Sequence, residues 1–242
     1  MTSTSNTRTA TSSVNISLRE CRLVTGRVLR ALGVPRGAVP AARDTTVVAE
    51  SLELDALRRL YEDADMLRTT AGLRSRRRAK GPDTLVDARG RHALVASPDL
   101  LDLAVALTHR HVQARITVTD VVRPELLDAL PVQAADFGVA LTVGGGSPGE
   151  RTLDCVPLQD PPPATMPPVD HVLRHGLDVS ADLWWSLFHL GNEALTPDSD
   201  LSRQHTGRSV FDESGRIVGE VGEDWADQPA GAGATPIPSD GR

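Results

Sequence analysis

The sequence is short of aromatic and sulfur-bearing side chains: of 242 residues only 3% are Phe, Trp or Tyr, with 2 cysteines and 3 methionines. Scarce aromatics argue against a base-stacking platform for nucleic acid and leave the core to Leu, Val and Ala. Cys21 and Cys155 lie far apart with no C-x-x-C, which points to buried thiols in a reducing compartment and a fold that needs no disulfide. No apolar run approaches the roughly 20 residues that span a bilayer, and the N-terminus lacks the charged start and apolar core of a signal peptide. The chain also lacks surplus positive charge. At a formal net charge of -6 it is not expected to bind nucleic acid or an anionic membrane wholesale, and a cytoplasmic location is expected.

What remains is ordinary globular composition, 40% hydrophobic and 24% charged, enough for one sizeable core or two small ones. Residues 1–14 are threonine, serine and asparagine with little to bury, so disorder is expected there. Residues 15–219 are expected to form a single α/β domain, and residues 220–242 an acidic, then Gly/Ala/Pro-rich disordered tail. Ser17-Leu18-Arg19-Glu20 has capping-box form, and Cys21, Val24, Val28 and Leu32 continue as a helical stripe to Gly33. A second helix is expected from Ala41 to Tyr61, giving an N-terminal helical hairpin. The run RSRRRAK, Arg74 to Lys80, is a solvated loop or an acid-pairing surface more readily than a nucleic-acid contact.

In the middle of the chain, Thr84–Ala88 and His92–Ala96 flank Arg89-Gly90-Arg91 as a hairpin or a strand with a turn, and Ser97-Pro98 opens a helix. A strand over Ile116–Val122, a helix over Pro124–Asp136 and an apolar strand over Val139–Val143 follow. That succession favours a small parallel or mixed sheet with crossover helices. Gly144 to Gly149 has neither G-x-G-x-x-G nor the P-loop pattern, so a hairpin or bulged turn outweighs a cofactor loop there, and Arg151–Val156 is the returning strand. Gln159–Pro168 is proline-dense and expected to be a stiff connection. His171 and His175 have the i, i+4 spacing of a shared metal, yet Val172 stands where H-E-x-x-H needs glutamate and no third ligand is evident, so no metal is assigned. His109 and His111 fit a helix C-terminus.

The most informative stretch is Leu177 to Arg208. Ser180 and Asp182 suit a helix start, and Leu183, Trp184, Leu187, Phe188, Leu190 and Gly191 form its apolar stripe. Thr196-Pro197 suggests a second, short helix ending at Gly207, which would place Ser199, Ser202 and Arg203 on one face near its N-terminus. Hydroxyl donors, exposed amides and a guanidinium there suit a carboxylate or phosphate, and His205 is the candidate proton-transfer group. Ordinary capping residues beside a surface arginine give the same pattern. Ser209–Val218 is expected to be a closing hairpin.

The residues Thr196-Pro197-Asp198-Ser199, Ser202-Arg203 and Gly207, with the opening SLRECRLVTGRVLRALGVPRGAVPAARDTTVVAESL, resemble an uncharacterised bacterial domain-of-unknown-function family. Here Gly207-Arg208-Ser209 stands in place of that family's glycine-alanine-glycine close. The likeness implies a grouping and no mechanism. From PDTLVDARG through ITVTDVVRPELLDALPVQAADFGVALTVGG the chain is faintly similar to the malate and L-lactate dehydrogenase family that lacks a conventional Rossmann fold. That resemblance implies a Ser-His-Gly after the second helix and a histidine after the strand Ile116–Val118. Leu57-Arg58-Arg59-Leu60 and Thr119-Asp120-Val121 occupy those places, so it implies a degenerate or repurposed relative.

Two functions stand side by side. One is a metabolic protein, enzyme or not, that binds a small anionic metabolite through Ser199, Ser202 and Arg203, with no cofactor assigned. The other is a noncatalytic accessory or homo-oligomer-forming subunit that presents Trp184, Trp185 and Phe188 to a partner.

Overall fold

A computed structural model describes residues 12–145, 150–159, 167–195, 209–211 and 217–220. The chain divides into two compact units, Met1–Leu195 and Thr196–Arg242. The first unit opens with a short strand, β1 (Ser13–Ile16), and the helix α1 (Leu18–Ala31). The capping box forms as expected: the Ser17 amide donates to Glu20 Oε2 at 2.8 Å and the Glu20 amide donates to Ser17 Oγ at 3.2 Å. Cys21, Val24 and Val28 turn inward, and Leu32 is buried just past the helix end.

The single helix expected over Ala41–Tyr61 is two helices, α2 (Val39–Ser51) and α3 (Ala56–Glu62). Glu53 and Asp55 adopt left-handed φ of 59° and 54°, which no α-helix accommodates. Glu50 supports the break, because its carboxylate accepts the Leu57 amide at 2.8 Å at the start of α3. A short helix, α4 (Ala64–Thr70), follows directly.

Next come β2 (Arg76–Lys80), β3 (Asp83–His92), α5 (Ala93–Arg110), β4 (Ala114–Val122), a 3-10 turn over Pro124–Ala129, α6 (Leu130–Ala135), β5 (Val139–Gly145) and β6 (Arg151–Pro157). The sheet order is β2-β3-β4-β6-β5. Only β3 and β4 pair parallel, joined by the α5 crossover, so the sheet is mixed. Alternation sorts its faces: Val86, Ile116, Val118, Leu141 and Leu153 are buried toward the core that α5 fills with Leu94, Leu100 and Ala104.

Three local expectations are corrected here. The basic run enters a strand and is not a loop. On β2, Arg76 lies opposite Asp87 and Lys80 opposite Asp83 in register, which places opposite charges across the pair without a salt bridge, and an edge position keeps the charges wet. Of the two readings of Arg89-Gly90-Arg91, the hairpin fails and the strand with a turn holds. Arg89 and Gly90 take φ of 57° and 71° inside β3, and the register shifts between Asp87 and Arg91 while the strand runs on. The helix does not wait for Ser97-Pro98. His92 caps α5 by accepting the Leu94 amide on Nδ1 at 3.2 Å, which leaves Pro98 inside the helix and His92–Ala96 out of any second hairpin strand. The glycine-rich segment does join a hairpin, with Gly145 opposite Arg151; residues 146–149 lie outside the described residues.

Helix α7 (Pro167–His175) ends at Gly176, β7 (Leu177–Ser180) pairs antiparallel with β1, and α8 (Ala181–Asn192) packs on α1. Ser180 precedes α8 as expected, though its side chain makes no capping bond. In the second unit, β8 (Ser209–Phe211) and β9 (Ile217–Glu220) form the expected antiparallel hairpin. No helix among the described residues is long and apolar enough to cross a membrane.

Candidate functional site

The apolar stripe of α1 commits that face to the core, so Arg19, Arg22, Leu23 and Arg30 are left on the outside. Arg36, in the turn after α1, and Arg43, on α2, meet them across a cleft of about 640 Å³ floored by Gly26, Val39 and Pro40. Five arginines therefore line one cleft of a chain with net charge -6. Asp44 answers two of them, standing 3.4 Å from Arg22 and 3.0 Å from Arg43. Arg19, Arg30 and Arg36 have no carboxylate within ion-pair distance among the described residues. From Arg19 to Arg30 the helix rises about 16 Å, so the positive stripe is longer than one phosphate. Planar guanidinium forks on both walls suit carboxylate or phosphate oxygens.

A second charged group sits at the carboxyl ends of the parallel pair, where open α/β sheets commonly place sites. His92 closes β3, and Arg123 follows β4 with a left-handed φ of 56°. Both reach Asp63, between α3 and α4. The Arg123 guanidinium is bidentate, with Nε to Asp63 Oδ2 at 2.6 Å and Nη2 to Oδ1 at 3.0 Å, while His92 Nε2 stands 3.4 Å from Oδ2. The imidazole beside it, then the guanidinium, hold the Asp63 carboxyl well below the usual carboxylate range. With Nδ1 engaged by the Leu94 amide, the neutral imidazole carries its proton on Nε2, facing Asp63. A histidine beside a carboxylate is the composition of an acid-base pair, but His92 is 0% exposed. No substrate atom reaches it, and the group acts as a tie between the α3–α4 junction and both strand ends.

Neither thiol is a nucleophile at neutral pH. Both cysteines are free and buried, as expected, and burial pushes Cys21 up to about 12 and Cys155 up to about 11.

Ser199, Ser202, Arg203 and His205 lie outside the described residues, as do the helix expected from Thr196 to Gly207 and most of the proline-dense connection. His171 and His175 lie with ring centroids 4.6 Å apart and ring planes tilted by 42° near the end of α7, and no group of three metal-binding side chains occurs among the described residues. His109 and His111 sit at the C-terminus of α5 as expected. Of the α8 aromatics, Trp184 is buried, Phe188 half-buried, and Trp185 50% exposed with its ring edge-on to Phe188 at 5.7 Å. The arginine cleft went unforeseen because its members are scattered over two helices and a turn. The signal was there: Arg19, Arg22 and Arg30 fall on the outer face once the inner stripe is drawn.

Comparison with protein-family models and with curated proteins finds no match. Among solved structures, malate dehydrogenase from Entamoeba histolytica aligns over 86% of this chain and 59% of that one, at 11% identity and a TM-score of 0.48. Malate dehydrogenase from Pyrococcus horikoshii OT3 aligns over 61% and 48%, at 17% identity and 0.45. Sulfolactate dehydrogenase from Methanocaldococcus jannaschii aligns over 50% and 38%, at 12% identity and 0.42. The chain thus spans between about two fifths and three fifths of the length of these structures.

Proposed function

We propose that this chain binds a small anionic metabolite, a phosphate or polycarboxylate, as a metabolic protein. The observation that carries the reading is the cleft between α1 and α2, where five arginines face a single nearby aspartate. Like charges gathered on one cleft raise its positive potential, and a bound anion lowers that potential while occupying the guanidinium forks. The corner formed by Ser199, Ser202 and Arg203, with His205 as proton-transfer group, is proposed as a second anion contact on its sequence pattern alone.

Thermal unfolding of the full chain with inorganic phosphate, pyrophosphate and succinate tests the reading. An anion at about 100 times its Kd stabilises the folded state by about 2.7 kcal/mol. The double variant Arg30→Gln/Arg36→Gln should weaken the anion at least tenfold if the cleft is the site, and Arg203→Ala should do so if the C-terminal corner is. A wild-type chain that responds to none of the three anions overturns the proposal. A response unchanged in both variants overturns both placements.

Trp185 favours a second reading, an accessory or self-associating subunit. A half-exposed indole on the outer face of α8 is the kind of anchor that dominates interfaces. Under that reading Trp185→Ala lowers the mass measured by light scattering at micromolar concentration, and an unaltered mass removes it.

A further inference from the structure

A separate cavity of about 610 Å³ lies where the segment after α4 and strand β2 face α5. Its inner end is Arg91, whose side chain is only 6% exposed. Nη1 donates to Ser75 Oγ at 3.0 Å and to Asp99 Oδ2 at 2.6 Å, and Nη2 donates to Val95 O at 2.9 Å. Nε is buried and has no acceptor among the described residues.

A buried cation calls for a buried counter-charge. Asp99 supplies little of one, since its carboxylate is 61% exposed and water screens it. The remaining acceptors are a neutral hydroxyl and a neutral carbonyl. Arg74 and Arg77 add two further positive charges on the lining, and neither has a carboxylate within ion-pair distance among the described residues. The polar side of the cavity is therefore short of negative charge.

The other side is greasy. Val86 and Leu100 are buried at the back of it, and Leu103 is half-buried along α5. Leu73, also half-buried, adds to the exposed part of that side, and free phosphate would satisfy the arginines and leave Leu73 and Leu103 facing water. A ligand with one anionic head and an apolar body satisfies both sides. The cavity also falls in the size range of ordinary small-molecule sites.

We infer that this cavity binds a monocarboxylic acid with a short apolar chain, its carboxylate toward Arg91, Arg77 and Arg74 and its chain along Leu73 and Leu103. The site is distinct from the α1–α2 cleft and does not depend on it, because the two differ in what they should prefer. The cleft has a long charged stripe and takes multivalent anions; the cavity has one charged end and takes a tail.

Calorimetric titration of the full chain with acetate, butyrate, hexanoate and octanoate reads the difference. Affinity should rise about two- to fourfold for each added methylene until the chain fills the cavity. Arg74→Gln/Arg77→Gln should weaken hexanoate about tenfold at every chain length, leaving the dependence on length intact. Leu103→Trp, which fills the apolar side of the cavity and leaves Arg74, Arg77 and Arg91 in place, should abolish hexanoate binding while the pyrophosphate response persists. Affinity that is flat along the series overturns the proposal, and so does hexanoate binding that survives Leu103→Trp. Loss of the pyrophosphate response in Arg30→Gln/Arg36→Gln with hexanoate binding intact would separate the two sites.

Discussion

Asp63→Asn should lower the stability of the folded chain by about 2–4 kcal/mol, the largest loss expected from any isosteric change in this fold. The carboxylate is mostly buried and serves two partners. Asparagine keeps the shape but removes the charge that answers the bidentate Arg123 guanidinium, leaving Glu62, at 3.8 Å, and Glu125 as the nearby acids. Arg123 is 30% exposed, so water recovers part of the loss, which is why the expected figure stops short of that for a fully buried pair. The pH profile gives a sharper signature. The folded-state carboxyl holds its proton less tightly than the unfolded one, so protonation favours unfolding. Its contribution is whole above the ordinary carboxylate range and drains away as pH falls below about 4 toward the depressed value. The gap in urea midpoint between the parent and Asp63→Asn chains should therefore be constant from about pH 7 to pH 5 and narrow as pH falls from about 4 to 3, with full convergence only at still lower pH. Parallel profiles would show that the carboxyl is not tied as described.

Gly176→Ala should be nearly as damaging, by about 2–4 kcal/mol, for a reason unrelated to charge. Gly176 takes a φ of 77°, where a β-carbon is strained by roughly 1–2 kcal/mol. That carbon would also lie 2.5 Å from Asn15 Oδ1 and 2.7 Å from the Ile16 carbonyl oxygen, and the second of these is backbone that cannot swing aside. Gly138→Ala is the control. Its φ is 71° but nothing lies within 4 Å of the added carbon, so only the conformational part should appear. Equal denaturation midpoints for the two variants would mean that the contact with Ile16 is not there.

Local chemistry was legible in the sequence, and long-range charge was not. Ser17 with Glu20, the stripe of Cys21, Val24 and Val28, and the hairpin return at Arg151 each express a rule that acts within a few residues. Misreadings arose where strand pairing, an unusual cap or a partner far along the chain decided the outcome. The run Arg76–Lys80 is a poor strand until Asp83 and Asp87 arrive opposite it, and His92 gives no sign of being a cap, since serine, threonine, aspartate and asparagine are the usual ones. The tie of Asp63 to Arg123 joins residues 60 apart, for which no spacing rule exists. Periodicity over Ala41–Tyr61 was real, yet Glu53 and Asp55 interrupt it with backbone angles that composition does not announce. The arginine cleft belongs to both kinds: each guanidinium could be placed on a helix face, but the meeting of the faces is tertiary.

The pairing of β1 with β7 carries a consequence for the order in which the chain can be finished. Asn15 on β1 donates to the His175 carbonyl across 160 residues, and the four pairs from Ser13 with Ser180 to Ile16 with Leu177 close the same span. During synthesis at roughly 5–20 residues per second, β1 leaves the ribosome many seconds before its partner exists. The α5 crossover and the β5–β6 hairpin can form in that interval from nearer contacts, whereas β1 must wait as an unpaired strand while loop-closure entropy opposes its docking. Strand β1, made some 160 residues ahead of β7, is thus among the last of these elements to be seated, and the two-stranded ribbon acts as a late clasp over helices already assembled.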